Sequence, residues 1–192
     1  MLALAEIFYS VQGEGTWTGT PAVFVRLAGC NLNCRFCDTD YGTKAYASPE
    51  RIVATVRELG GDCPMVVVTG GEPFAQTETP ALIDALRADG RRVHVESNGT
   101  LAVDLPADLW LTVSPKERLD PAMAARANEV KLIVDGRVPD EWFGAFLARD
   151  VPVFLQPEGN KPANVALAIA AAQARPGRLR LGLQTHKFIG AR

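Results

Sequence analysis

Short runs of β-branched and apolar residues alternate along the chain with stretches whose apolar positions recur every three or four residues. The runs at 22–27 (AVFVRL), 65–69, 92–96, 109–114, 130–134, 153–156 and 179–184 predict strands. Helical periodicity fills the gaps between several of them. Ser48-Pro49 reads as an N-cap followed by proline at the first helical position, with Ile52, Val53, Val56 and Leu59 forming one apolar face. Thr79-Pro80 repeats that device, with Leu82, Ile83 and Leu86 inward and Gly90 as the stop. Helices are also expected at 140–147 and 163–174. The stretch 98–108 shows no helical pattern, so one crossover is expected to be irregular.

Strand–helix alternation implies an α/β fold with a parallel sheet, open or curled into a partial barrel, in a single domain over residues 1–192. Ligands of such sheets gather at the C-terminal strand ends. Here five strands run into polar or glycine-rich clusters: GGEP, SNGT, PKE, PEGN and THK. Their agreement points to one shared active face.

Composition narrows the partners. The 192 residues are 47% hydrophobic, enough for a real core, and the formal charge of −2 comes without blocks of like charge. A nucleic-acid or membrane-surface partner is therefore not expected, whereas a small anionic substrate held by one or two arginines is compatible. The N-terminus lacks the basic and long apolar regions of a signal peptide, and NVALAIAAAQA is too short to span a bilayer. A soluble, cytoplasmic protein is expected, with its thiols reduced rather than paired.

Three of the four cysteines stand in "AGCNLNCRFCDTDY", at a C-x3-C-x2-C spacing. A closed structural zinc site takes four protein ligands, and a [4Fe–4S] cluster ordinarily takes four thiolates. Cys30, Cys34 and Cys37 supply three, which leaves one coordination position for a substrate or cofactor. Cys63, ahead of a buried strand, reads as a core or loop thiol. "VTGGEPFAQ" follows a strand and places two glycines where main-chain groups can approach a ligand with no Cβ between.

The cysteine spacing, the aromatic before its last member and the later GGEP resemble the signature of the radical S-adenosylmethionine enzymes. That resemblance implies a [4Fe–4S] cluster on Cys30, Cys34 and Cys37, with S-adenosylmethionine chelating the fourth iron. It assigns cofactor contacts to Phe36, Cys37, Asp38, Gly71, Glu96 and Asn98. The last two have a plain alternative as a polar Asn-Gly turn.

Further stretches narrow the likeness: "QGEG" before the strand containing Arg26, "CDTDY", "SPK", "EVKLIVD", "QPEGN" and the ending "LQTHKFIGAR". Together, over nearly the full length, they resemble the 7-carboxy-7-deazaguanine synthase family of the queuosine pathway. The resemblance implies a shortened, partial β/α barrel and a carbon–nitrogen lyase activity. The reaction would contract the ring of 6-carboxy-5,6,7,8-tetrahydropterin to 7-carboxy-7-deazaguanine with loss of ammonia. It implies Mg²⁺ bound through Thr39, a homodimer, and an external one-electron reductant such as flavodoxin. No catalytic side chain is expected beyond the cluster and the cofactor radical.

By the same resemblance, Ser114, Pro115, Lys116, Gln156, Pro157, Glu158 and Gly159 contact the cofactor. Val11, Gln12, Gly13, Glu14, Arg26, Thr69, His186 and Arg192 contact the substrate. Each role has a physical sense. Gln12 and the backbone of its neighbours suit the donors and acceptors of a bicyclic pterin, and Glu14 can accept from its amino edge. Arg26, alone in an apolar strand, needs a partner: a substrate carboxylate, or a structural salt bridge. One hydroxyl is a poor Mg²⁺ site unless substrate oxygens and waters complete it. His186 could equally be structural, and His94 reads as core or sheet surface. Relatives commonly end in proline, so the ending Gly190-Ala191-Arg192 departs from the pattern and puts the contact at Arg192 in question. Two rivals share parts of the pattern. A glycyl-radical activating enzyme would act on a partner protein, and a non-enzymatic metal-binding regulator would need neither GGEP nor the clustered strand ends.

Overall fold

The computed structural model describes residues 1–191. The chain packs as two compact units, each assembled from separate segments.

The first unit comprises Met1–Val11, Thr20–Ser97 and Val103–Leu111. Its strands are β1 (Leu2–Val11), β2 (Pro21–Leu27), β3 (Ala45–Ala47), β4 (Met65–Gly70) and β5 (Arg92–Ser97), in the order β3-β1-β2-β4-β5. β1 pairs antiparallel with β2 and β3. β2, β4 and β5 run parallel, as the strand–helix alternation requires. Val66, Val68, Val93 and Val95 are buried in this core. Helix α1 (Pro49–Gly60) starts as expected: Ser48 Oγ accepts from Arg51 N, and Ile52, Val53 and Val56 turn inward. Leu59, expected on that face, is instead exposed. Helix α2 (Thr79–Ala88) buries Leu82, Ile83 and Leu86 and gives way to Gly90 at φ +81°. Thr79 is not its cap; it is the first helical residue, and its hydroxyl turns back to donate to Pro73 O at 2.5 Å.

The second unit comprises Gln12–Gly19, Asn98–Ala102 and Thr112–Arg192. β6 (Trp110–Val113) begins in the first unit and ends in the second; β7 (Glu129–Val134), β8 (Val153–Pro157) and β9 (Arg180–Leu181) follow it in parallel. Its helices are α3 (Pro121–Arg126), α4 (Phe143–Phe146), α5 (Pro162–Ala174) and α6 (Thr185–Ile189). Only Arg180 and Leu181 of the expected strand at 179–184 pair with β8; Gly182 N adds one last bond to Leu155 O of that strand at 2.9 Å, and the chain then turns into α6. The stretch 98–108 is free of helix, as its pattern predicts. No helix among the described residues is long and apolar enough to cross a membrane.

Within each unit the parallel strands end on a common side. In the first, β4 runs into Gly71-Glu72-Pro73 and β5 ends on Ser97. In the second, β6 runs into Ser114-Pro115-Lys116 and β8 into Glu158-Gly159-Asn160.

Candidate functional site

Cys30, Cys34 and Cys37, in the first unit, lie on a closed loop after β2. Gly29 N donates to Tyr41 O at 2.9 Å and Cys37 N to Cys34 O at 3.1 Å. Cys30 and Cys34 are half-buried and Cys37 is exposed. Burial, and then the charges of Cys37, Cys30 and Cys34, push the Tyr41 hydroxyl above its ordinary value, so all three thiols share its neighbourhood. Among the described residues no three His, Cys, Asp or Glu side chains converge closely enough for a single ion. Cluster thiolates each bind a different iron, and a cubane therefore asks for sulfurs set apart around it.

The GGEP turn is fastened to this loop through main-chain bonds. Glu72 N donates to Gly29 O at 3.0 Å and Gly71 N to Leu27 O at 3.3 Å. A Cβ on Gly71 would stand 2.0 Å from Gly29 O and 2.7 Å from the Cys30 Cβ. Gly70, at φ +140°, is pressed equally hard against Leu27 O. Glycine is required here by the approach of one backbone to another, and the result is a bare main-chain ledge beside Cys30.

The Glu72 side chain is wholly buried and accepts from Phe74 N at 3.1 Å and from Ser97 Oγ at 3.0 Å. It ties GGEP to the end of β5, where half-buried Glu96 stands 3.8 Å from the buried His94 Nε2. His94 is thus core, one of the two places read for it. Arg26 on β2 faces its register partner Glu6 on β1, with Nε 2.9 Å from Oε1, and its guanidinium lies over the Phe8 ring. The structural salt bridge weighed for Arg26 is present. A guanidinium has more donors than that contact uses, so the pairing leaves a carboxylate clamp chemically open. Thr69 is the next-to-last residue of β4, and Thr39 lies two residues past Cys37, where its main-chain oxygen faces the Cys37 Sγ at 4.0 Å.

In the second unit the QGEG segment is held from several sides. Gly13 O accepts from both Thr185 N and Thr185 Oγ1 at 2.9 Å. The His186 ring lies so close to Gly13 that a Cβ there would be 2.1 Å from Nδ1. Gln12 is buried, and its Oε1 accepts from Glu14 N at 3.2 Å, bracing the loop itself. Glu14 Oε2 receives Lys131 Nζ at 2.5 Å and Oε1 receives Gln184 Nε2 at 3.0 Å. Burial alone would raise the Glu14 carboxyl; the Lys131 ammonium, the two hydrogen bonds and the field of His186 overcome it and hold the group at about 2, against 4.5 ordinarily.

Ser114 Oγ donates to Lys131 O at 2.8 Å, and Lys116 Nζ donates to Ser114 O at 2.8 Å. Asn98 accepts from Thr100 N and Thr100 Oγ1 at 2.9 and 2.7 Å, which is the polar turn weighed for it. On β8, Gln156 is 5% exposed, and its Oε1 has no hydrogen-bond partner among the described residues. Gly159 and Asn160 follow at φ +58° and +51°. A buried acceptor without a partner is costly, so Gln156 suits a donor supplied by a bound molecule. Val11 ends β1, and Phe36 and Asp38 flank Cys37 on the cysteine loop. Pro115 and Pro157 are buried, and Glu158 pairs with Lys161. Arg192 lies outside the described residues.

Lys131 and Glu129 of β7 were not legible as site residues. "EVKLIVD" reads as a strand, and nothing local says that its charges meet a loop more than a hundred residues earlier.

Comparison with known proteins agrees with this geometry. Residues 25–139 match the model of the radical SAM superfamily. The 7-carboxy-7-deazaguanine synthase of Bacteroides thetaiotaomicron is 39% identical over the whole of both chains. That of Rhodospirillum rubrum is 39% identical over 98% of this chain and 92% of its own. The crystal structure of QueE from Escherichia coli superposes with a TM-score of 0.82 at 32% identity, covering 96% of this chain and 94% of the other. Streptococcus suis SuiB bound to its precursor peptide SuiA, at 12% identity and a TM-score of 0.55, shares the fold alone.

Proposed function

The chain belongs to the radical SAM superfamily and, within it, to the 7-carboxy-7-deazaguanine synthase family, and from that premise we propose how its residues carry the activity. The reaction is the conversion of 6-carboxy-5,6,7,8-tetrahydropterin to 7-carboxy-7-deazaguanine with release of ammonia, and the cofactors are a [4Fe–4S] cluster and S-adenosylmethionine. When bound, these groups supply the electron and the carbon-centred radical that begin the rearrangement.

Cys30, Cys34 and Cys37 would hold the cluster, and three thiolates would leave one coordination position for the methionine end of the cofactor. The observation that carries this reading is the packing of Gly71 on Gly29 and Cys30, since it bares main chain beside a cysteine that would hold the cluster. Glu96, Asn98, the Ser114–Lys116 triplet and Gln156 to Gly159 take the rest of the cofactor, with Gln156 Oε1 accepting one of its donors. Phe36 and Asp38, which flank Cys37, would contact the cofactor.

Glu14, Gln12 and the main chain of Val11 and Gly13 take the pterin's amino edge. Arg26 takes its carboxylate, drawing on donors beyond those that pair with Glu6. Thr69 and His186 are assigned to the substrate by the family's pattern. Thr39 carries Mg²⁺ together with substrate oxygens and waters, so the ion binds weakly until substrate arrives. Holding the substrate aligned lets hydrogen transfer outrun side reactions. The family also supports a homodimer, an external one-electron donor such as flavodoxin and a cytoplasmic setting.

Cluster-reconstituted protein tests the assignment. Cys34→Ala should abolish both 5′-deoxyadenosine and 7-carboxy-7-deazaguanine. Arg26→Met should keep cluster and S-adenosylmethionine binding while losing pterin affinity by roughly a hundredfold, the scale of a lost charge-paired hydrogen bond. Arg26→Met with unchanged pterin affinity would remove the carboxylate clamp from the account.

A further inference from the structure

Alternate residues of a strand share a face, so Glu129 and Lys131 leave β7 on the same side. Both meet the QGEG segment. The Glu129 carboxylate accepts from Thr16 N at 2.7 Å and occupies the place a Cβ on Gly15 would need. Lys131 Nζ reaches Glu14 Oε2 at 2.5 Å, while its main-chain oxygen accepts from Ser114 Oγ at 2.8 Å. One residue thus contacts both the Glu14 carboxylate and the triplet assigned to the cofactor.

An enclosed ion pair is a poor way to fasten a loop. Desolvating two charges costs about as much as their attraction returns, and an apolar pair of equal volume would serve. What only the ion pair provides is an ionised carboxylate in a fixed place. A carboxylate has about four acceptor directions. Lys131 and Gln184 each approach one oxygen, which leaves capacity for two further N–H donors. A protonated Glu14 would instead aim an O–H at those donors.

We propose that Lys131 is a positioning residue of the substrate site, whose ammonium fixes Glu14 as the charged acceptor for the amino and ring N–H groups of the pterin's pyrimidine edge. This rests on the reading of Glu14 as a substrate residue. The charged and titratable groups around Glu14 are Lys131 and Glu129 from β7 and His186 from α6. Lys187 acts at one remove, donating to Gln184 Oε1 at 2.9 Å.

The test uses reconstituted holoenzyme and two readouts: calorimetric binding of 6-carboxypterin, an oxidised and unreactive probe, and kcat and KM for the tetrahydropterin across pH. Lys131→Met should weaken 6-carboxypterin by about thirtyfold or more and raise KM further than it lowers kcat. It should also move the acid limb of binding to higher pH, while S-adenosylmethionine affinity stays at the wild-type value. Lys131→Arg should restore most of the affinity and return the limb. Wild-type probe affinity in Glu14→Gln would sink the underlying reading of Glu14, and the proposal with it. Weakened binding in Glu14→Gln beside wild-type binding or an unmoved limb in Lys131→Met would overturn the proposal alone. If Lys131→Met does not fold, Lys131→Arg decides: a retained charge must retain the wild-type limb, and a shifted limb overturns the role. A merely structural lysine would lower the melting temperature and cofactor affinity together and leave the limb where it was.

Discussion

Ser97 Oγ donates to Glu72 Oε1 at 3.0 Å, joining the end of β5 to the glycine turn that ends β4. The acceptor is wholly buried, so the bond is screened from water and couples two loops that both face the cofactor in this account. Ser97→Ala should lower stability by about 1–2 kcal/mol, the usual cost of losing one partner of a buried hydrogen bond. S-adenosylmethionine affinity should fall in parallel, with iron content unchanged. Denaturant melts and a cofactor titration measure both; a loss of iron with intact cofactor affinity would assign the bond to the cysteine loop instead.

Gly71 gives a sharper steric test. A methyl group there meets a backbone oxygen at 2.0 Å, and a backbone cannot swing aside as a side chain can. Gly71→Ala should destabilise by about 2 kcal/mol or more and reduce the iron retained after reconstitution. Gly61→Ala is the control: that glycine, unlike Gly71, has a positive φ (+51°), but no atom lies within 4 Å of the added carbon. It should carry the backbone strain without the iron loss.

Gln156 should show a conflict between stability and binding. Its buried Oε1 lacks a partner among the described residues, so Gln156→Met removes a cost from the free protein. The expected result is an equal or higher melting temperature without cofactor and roughly tenfold weaker S-adenosylmethionine binding. A lower melting temperature with unchanged binding would make Gln156 a structural residue.

Glu14 sets a pH dependence with a definite sign. Its folded carboxyl lies at about 2 and its ordinary value is 4.5. A depressed carboxyl contributes stability that is fully present above the ordinary value and lost as pH falls through the folded one. The stability gap between wild type and Glu14→Gln should therefore narrow as pH drops from about 4.5 towards 2. Urea melts across that window measure it, and a constant gap would show that Glu14 is not held ionised by its neighbours.

The elements that sequence reveals are those whose information is local. Ser48-Pro49 starts α1, and short apolar runs make β4, β5 and β8, because capping and apolar periodicity act within a few residues. β1 escaped because Leu2–Val11 mixes alanine, leucine and glutamate with its apolar positions, and it becomes a strand by pairing antiparallel with β2. α6 has five residues and no apolar face; its seat comes from Thr185 bonding Gly13 O. α3 was readable: Asp120-Pro121 repeats the cap-then-proline device, with Asp120 accepting from Ala122 N. At the site, the cysteine spacing and GGEP are local motifs. The partners that set their behaviour are not: Glu6 for Arg26, Ser97 for Glu72 and Lys131 for Glu14 come from distant strands.

The central claim is tested most directly by turnover. Anaerobically reconstituted and reduced protein is given S-adenosylmethionine, Mg²⁺ and 6-carboxytetrahydropterin, and mass spectrometry follows 7-carboxy-7-deazaguanine, residual cofactor and 5′-deoxyadenosine. Many equivalents of product are expected for each cofactor consumed, because the radical is regenerated at the end of each cycle. Steady 5′-deoxyadenosine with no 7-carboxy-7-deazaguanine, from protein with a full cluster, would contradict it.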